Sequence, residues 1–149
     1  MEEIQIPQKM RRSPNLVCLC IDKYENEQLQ GRLFHYYNKE ELVFCDVIQV
    51  QKEMEGLFDE LDYPQANTRH RAFKHCEAGY EKHGYDRANR CRDFDELTGN
   101  KGDIATFIVD VTARYNTSWQ GNIFWIEKSA LGTFQSDIEL LKLLEVAVE

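Results

Sequence analysis

The chain is similar to itself at one fixed interval. Shifting residues 17–59 forward by 90 positions lays them on residues 107–149 without a gap. Asn26, Gln30, Gly31 and Phe34 fall on Asn116, Gln120, Gly121 and Phe124, and Phe44, Ile48, Lys52 and Glu55 on Phe134, Ile138, Lys142 and Glu145. These are 8 identities in 43 pairs, against about 2–3 from background residue frequencies. Apolar character is kept at Leu19/Val109, Ile21/Val111, Leu33/Ile123, Val50/Leu140 and Met54/Leu144. A self-similarity at fixed offset constrains architecture before any local propensity does.

Each copy has the same order of local signals. Residues 16–24 read as a strand, residues 25–30 as a turn, and Gly31 opens a second strand, Arg32–Tyr37. Residues 38–43 read as a charged connection ending at Phe44. Asp46 is placed to cap a helix whose Val50, Met54, Leu57, Phe58 and Leu61 share one face. Tyr63-Pro64 stops it. In the second copy Thr106–Arg114 and Gly121–Glu127 read as strands, joined by a turn over Tyr115–Gln120. Gly132 reads as a bend, and Ser136 caps the closing helix. A hairpin with one helix buries too little surface alone. The expectation is therefore one α+β domain over 1–149. Two ββα units, 16–62 and 104–149, join their hairpins into a four-stranded antiparallel sheet with both helices on one face. Residues 1–14 read as a flexible leader, and residues 63–103 as a helical insert.

Charge divides the chain. Its net charge is -8. From Pro64 to Arg92 seven Lys and Arg stand against three acids, so that stretch carries +4 and the remainder -12. The periodicity of Phe73, Cys76 and Tyr80 predicts a helix over 68–82, and a second is expected over 86–97. Arg69, Arg71, Lys74, Arg87, Arg90 and Arg92, interleaved with Phe73, Tyr80 and Tyr85, are the candidate contacts to nucleic acid. The net negative field opposes that reading, and a basic insert lying on an acidic body needs no external partner.

Chemistry-bearing motifs are missing. His70, His75, Cys76, His83 and Cys91 cluster in sequence but match no zinc spacing, so no metal is assigned. No nucleophile elbow or phosphate-binding glycine loop is present, so no catalytic residue and no cofactor are assigned. The five cysteines form no CxxC pair. With no signal-like apolar run after Met1–Arg12, they fit a reducing, cytoplasmic setting without a membrane span.

The turn Arg114-Tyr115-Asn116-Thr117-Ser118-Trp119-Gln120-Gly121 stands out, with Trp125 on the strand after it. Either its polar residues build the turn and Trp119 folds into the core, or the loop is a binding anchor. Trp and Arg are the side chains that dominate interfaces. The candidate binding residues are Arg114, Asn116, Ser118, Trp119, Gln120 and Trp125.

The motif Asn116-x-Ser118-Trp119-Gln120-Gly121, preceded by Arg114 and followed by Trp125, Phe134 and Ser136, resembles the C-terminal module of a family of small bacterial proteins of no known activity. They occur mostly in anaerobic Gram-positive species. Gly31-Arg32-Leu33-Phe34 and Asp62-Tyr63-Pro64-Gln65, with Thr68, Arg71 and Phe73, are similar to that family's N-terminal half. The resemblance implies a cytoplasmic protein and leaves substrate open. The function expected from the sequence is that of a non-enzymatic accessory or regulatory protein, binding another protein through the second hairpin and the sheet face. Two alternatives stand beside it: an acidic inhibitor or decoy of a nucleic-acid-binding enzyme, and a small-ligand sensor with its site between the repeats. A homodimer through an exposed sheet face or edge is compatible with this sequence.

Overall fold

The computed structural model describes residues 5–65 and 83–149. It is an α+β structure with one six-stranded antiparallel sheet and four helices. The elements run α1 (Gln8–Arg11), β1 (Val17–Glu25), β2 (Gln28–His35), β3 (Leu42–Phe44), α2 (Val47–Leu61), α3 (Phe94–Thr98), β4 (Ala105–Ala113), β5 (Gln120–Trp125), β6 (Ala130–Phe134) and α4 (Asp137–Val148).

The sheet order is β3-β2-β1-β4-β5-β6. At its centre β1 and β4 run antiparallel, with Cys18 opposite Ile108 and Leu19 opposite Phe107. The two hairpins share their pairing in detail. Gly31 faces Ile21 and Phe44, while Gly121 faces Val111 and Phe134. Each first strand has one irregularity, between Ile21 and Lys23 in β1 and between Val111 and Ala113 in β4. The turn residues Asn26 and Glu27 have φ of 52° and 61°, and Asn116 and Thr117 have φ of 58° and 55°. Two successive left-handed residues give the tight hairpin turn that matches strand twist, and asparagine tolerates that region best.

The sheet is wider than the four strands expected. Each half adds a third strand, β3 over part of the charged connection and β6 over the supposed bend at Gly132. Three residues of ladder are too short to show a two-residue period, and Gly132 lies in the strand opposite Ile123. Residues 8–11 form the short helix α1, whose Met10 is buried in the core. The helix expected over 86–97 reduces to α3, started by a capping box between Asp93 and Glu96. The helix expected over 68–82 lies outside the described residues.

Both long helices start as their caps predict. Asp46 Oδ1 accepts from Gln49 N at 2.9 Å, and Ser136 Oγ from Glu139 N at 3.1 Å. Gln51 Nε2 donates to Asp137 Oδ2 at 3.1 Å, which ties α2 to the start of α4. These helices cover the face carrying Leu19, Leu33, Phe107 and Ile123. Over the opposite face, Arg92 lies 5.2 Å above the Phe34 ring, Arg32 donates to Lys101 O, and Asn15 donates to Val111 O. Cover on both faces explains why Val17–Ile21 and Ala105–Val111 are buried without alternation.

Candidate functional site

The second hairpin is an internal clamp. Arg114 is only 3% exposed. Its Nη1 reaches Glu55 Oε1 at 2.9 Å and Asp59 Oδ1 at 2.6 Å, both on α2, and its Nε donates to Pro64 O at 2.5 Å. Trp119 is 4% exposed, packs edge-on to Phe58 with ring centroids 5.6 Å apart, and donates Nε1 to Glu55 Oε2 at 2.5 Å. Glu55 thus bridges the arginine and the indole. Two carboxylates around one guanidinium compensate a charge that burial alone would make costly.

The remaining hairpin residues serve the same docking. Ser118 Oγ donates to Asp137 Oδ1 at 2.9 Å and accepts from Asp137 N at 3.0 Å. Gln120 spans the turn, accepting from Tyr115 N at 2.8 Å and donating to Gln135 O at 3.2 Å. Asn116 is exposed and holds the left-handed turn position. Arg114 and Trp119 are buried in this docking, while Tyr115, Asn116 and Thr117 of the turn are exposed. Of the six candidate binding residues, Trp125 has a different setting, described below.

Of the basic candidates that the structure describes, Arg92 is half-buried, whereas Arg87 and Arg90 are exposed and lie over tyrosine rings. Arg92 donates to His35 O and to Asn38 Oδ1, each at 2.7 Å. Arg90 lies 4.3 Å over the Tyr36 ring and Arg87 5.4 Å over Tyr63. Arg69, Arg71 and Lys74 lie outside the described residues, as do His70, His75 and Cys76. Among the described residues no group of three His, Cys, Asp or Glu is arranged to hold a metal, and no helix is long and apolar enough to cross a membrane.

A cleft opens where α4 leaves the sheet. Its volume is about 230 Å³, and its walls are Phe107, Ile123 and Trp125 of the sheet, Ala130–Gly132 of β6, and Leu143, Val146 and Ala147 of α4. Its rim is apolar and unusually open to solvent: Val146 is 71% exposed and Leu131 45%. A further depression among the described residues, about 440 Å³ around Asp62, Pro64, Arg87 and Tyr115, mixes polar and apolar walls on the outside of the arginine clamp.

The equivalent place in the first half is lined differently, as the 90-residue shift shows. Burial runs identically along 41–52 and 131–142, then diverges. Gly56, Leu57 and Phe58 are buried, whereas Val146 is exposed and Ala147 and Val148 are half-buried. Leu57 stands where α4 has Ala147, and Leu42 where β6 has Gly132. Two leucines therefore fill in the first half what an alanine and a glycine leave open in the second.

A second filler comes from the insert. The Tyr85 ring lies edge-on to His35 at 4.6 Å and stacks on His83 at 5.0 Å. His83 Nε2 is 3.7 Å from Glu53 Oε2. The amides of His83 and Gly84 donate to Glu60 Oε1 at 2.7 and 2.8 Å. His35 and Glu53 are the counterparts of Trp125 and Leu143. In the first half, then, a short run of the chain's own backbone with two rings covers the ground that is the cleft in the second.

Burial leaves its mark on two titratable groups nearby. His35 is pushed down to about 3 by its loss of hydration, with Arg92 and His83 adding repulsion. Its Nδ1 accepts from Tyr37 N at 3.0 Å, so the neutral ring is built into the fold. Asp110 is raised by its burial, which the bonds from Ser13 and Asn122 only partly oppose.

Apart from Trp125, the cleft residues carry no motif, and sequence reasoning missed them. The readable signal was the loss of side-chain volume between equivalent positions, from Leu42 to Gly132 and from Leu57 to Ala147. No known protein family, curated protein or solved structure matches this chain.

Proposed function

We propose that this is a non-enzymatic binding protein that receives an apolar side chain of another protein in the cleft between α4 and β4–β6. The observation that carries this reading is the unequal filling of two equivalent places. One is occupied by the chain's own His83–Tyr85, and the other is open, apolar and rimmed by Val146, Leu143 and Leu131. Exposed apolar side chains grouped around a concavity are what a soluble protein keeps for contact. The contact surface moves from the hairpin tip, whose Trp119 and Arg114 are used internally, to the β5–β6 and α4 side of the same half.

A photo-crosslinking residue at Val146 tests this in cells that make the protein. The expected result is a discrete crosslinked protein at Val146, absent from the same residue placed at Ile48, an exposed position of α2 outside the cleft. That band should vanish when Gly132→Leu and Ala147→Leu fill the cleft. A band that survives filling, or none from a folded protein, overturns the reading.

A small apolar ligand is the second reading, favoured by volume: an engineered protein cavity of about 150 Å³ already takes up benzene. Such a site would lie within the second half rather than between the two.

A further inference from the structure

The first half also indicates what kind of group the second accepts. We infer, resting on the binding role of the cleft, that its occupant is a short segment of a partner protein carrying an aromatic residue two positions after an apolar one. The argument is substitution between equivalent sites. In the first half His83 and Tyr85, residues i and i+2 on either side of the left-handed Gly84, stack their rings at an interplanar angle of 22°. The second of these rings meets His35 edge-on, at an interplanar angle of 82°.

In the second half the edge-on partner is Trp125, whose larger π face favours the same T-shaped contact with an incoming ring. The aromatic preference is therefore retained. The position that His83 takes is changed. In the first half it faces the carboxylate of Glu53, which attracts a histidine. In the second half Leu143 stands at that place and offers nothing to a polar group. A histidine there would lose hydration without compensation, whereas an aliphatic side chain would gain burial. The small residue between the two, Gly84, has φ of 72° and nothing within 4 Å of an added Cβ, so backbone conformation and not crowding selects it.

Synthetic peptides test this on the full chain, with fluorescence anisotropy as readout. The peptide of residues 83–90 is the parent, and its His83→Leu and His83→Leu/Tyr85→Ala forms are the variants. The His83→Leu peptide should bind about tenfold more tightly than the parent. Removing the tyrosine ring should abolish binding, and the Gly132→Leu/Ala147→Leu protein should bind none. p-Cresol, the tyrosine side chain alone, is titrated in parallel by NMR. If p-cresol perturbs the cleft residues but no peptide binds, or if the parent binds as well as its leucine form, the segment chemistry is wrong while the cleft reading survives. If neither p-cresol nor any peptide binds, both fall together.

Discussion

Tyr85 meets His35 edge-on, with ring centroids 4.6 Å apart, on the face and at the strand position that Trp125 occupies in the other half. That contact seals the C-terminal part of α2 against the sheet. The matching part of α4 has no such cover among the described residues. The two halves share strand register, turn geometry and helix caps, and they part where a binding surface would have to differ. Asymmetry laid on a shared frame is a physical pointer to function that neither half gives alone.

The Arg114 clamp fixes the second hairpin to α2, and its removal should cost stability rather than binding. Arg114→Leu removes the buried guanidinium that contacts both Glu55 and Asp59. A loss of about 3 kcal/mol is expected, near the low end for broken buried pairs because both carboxylates keep some exposure. Trp119→Phe keeps the packing on Phe58 but removes the N–H that donates to Glu55 Oε2, at about 1–2 kcal/mol. Urea unfolding of the two single variants and the double variant checks this. The double variant should lose less than the sum, since both side chains share Glu55.

Gly31 and Gly121 should prove equally intolerant of a methyl group. A Cβ at Gly31 would sit 1.9 Å from Cys20 O, and one at Gly121 would sit 2.0 Å from Asp110 O. Neither neighbour can yield, because each is backbone in a central strand. Gly31→Ala and Gly121→Ala are each expected to cost about 3 kcal/mol or more, measured by thermal unfolding. A harmless substitution at either site would contradict the close strand approach.

Acid should weaken the fold through His35. Its folded value near 3 lies below its ordinary value of about 6.5. Between those two pH values the unfolded chain binds the extra proton, so stability falls as pH is lowered through that window. The slope is at most about 1.4 kcal/mol per pH unit. Asp110 works the other way. Its raised folded value makes its contribution shrink as pH rises above the usual carboxylate range. His35→Asn keeps an acceptor for Tyr37 N without the titration. Denaturant unfolding at several values between pH 6 and 4 should show a flatter profile for the variant than for wild type, whatever its absolute stability.

The parts of the fold legible in the sequence were those set by local chemistry. Asp46 and Ser136 announce their helices, whereas β2 begins at Gln28, within the stretch expected as a turn and before the Gly31 expected to open it. The strands β3 and β6 escaped notice because a three-residue ladder and a glycine-bearing edge carry no periodicity. Trp119 illustrates a different limit. Its residue type suits an interface and a core alike, and only its bond to Glu55, 64 positions away, decides between them. Trp125 was singled out for its type alone. Its neighbours Gly132 and Ala147 are inconspicuous, because a cleft is made by what side chains omit.

The central claim is that Gly132 and Ala147 leave open a space that Leu42 and Leu57 fill. Thermal unfolding of the Gly132→Leu/Ala147→Leu protein, with and without p-cresol, tests it most directly. A Cβ on Gly132 would meet Ile123 Cγ2 at 3.4 Å, close but against a side chain rather than backbone, so the site can accept a larger residue. Burying the added methyl and methylene groups should raise the midpoint by about 2–6 °C. p-Cresol should raise the midpoint of the wild type and leave that of the filled protein unmoved. A filled protein that melts earlier than wild type, or one that p-cresol still stabilises to the same degree, would contradict the account.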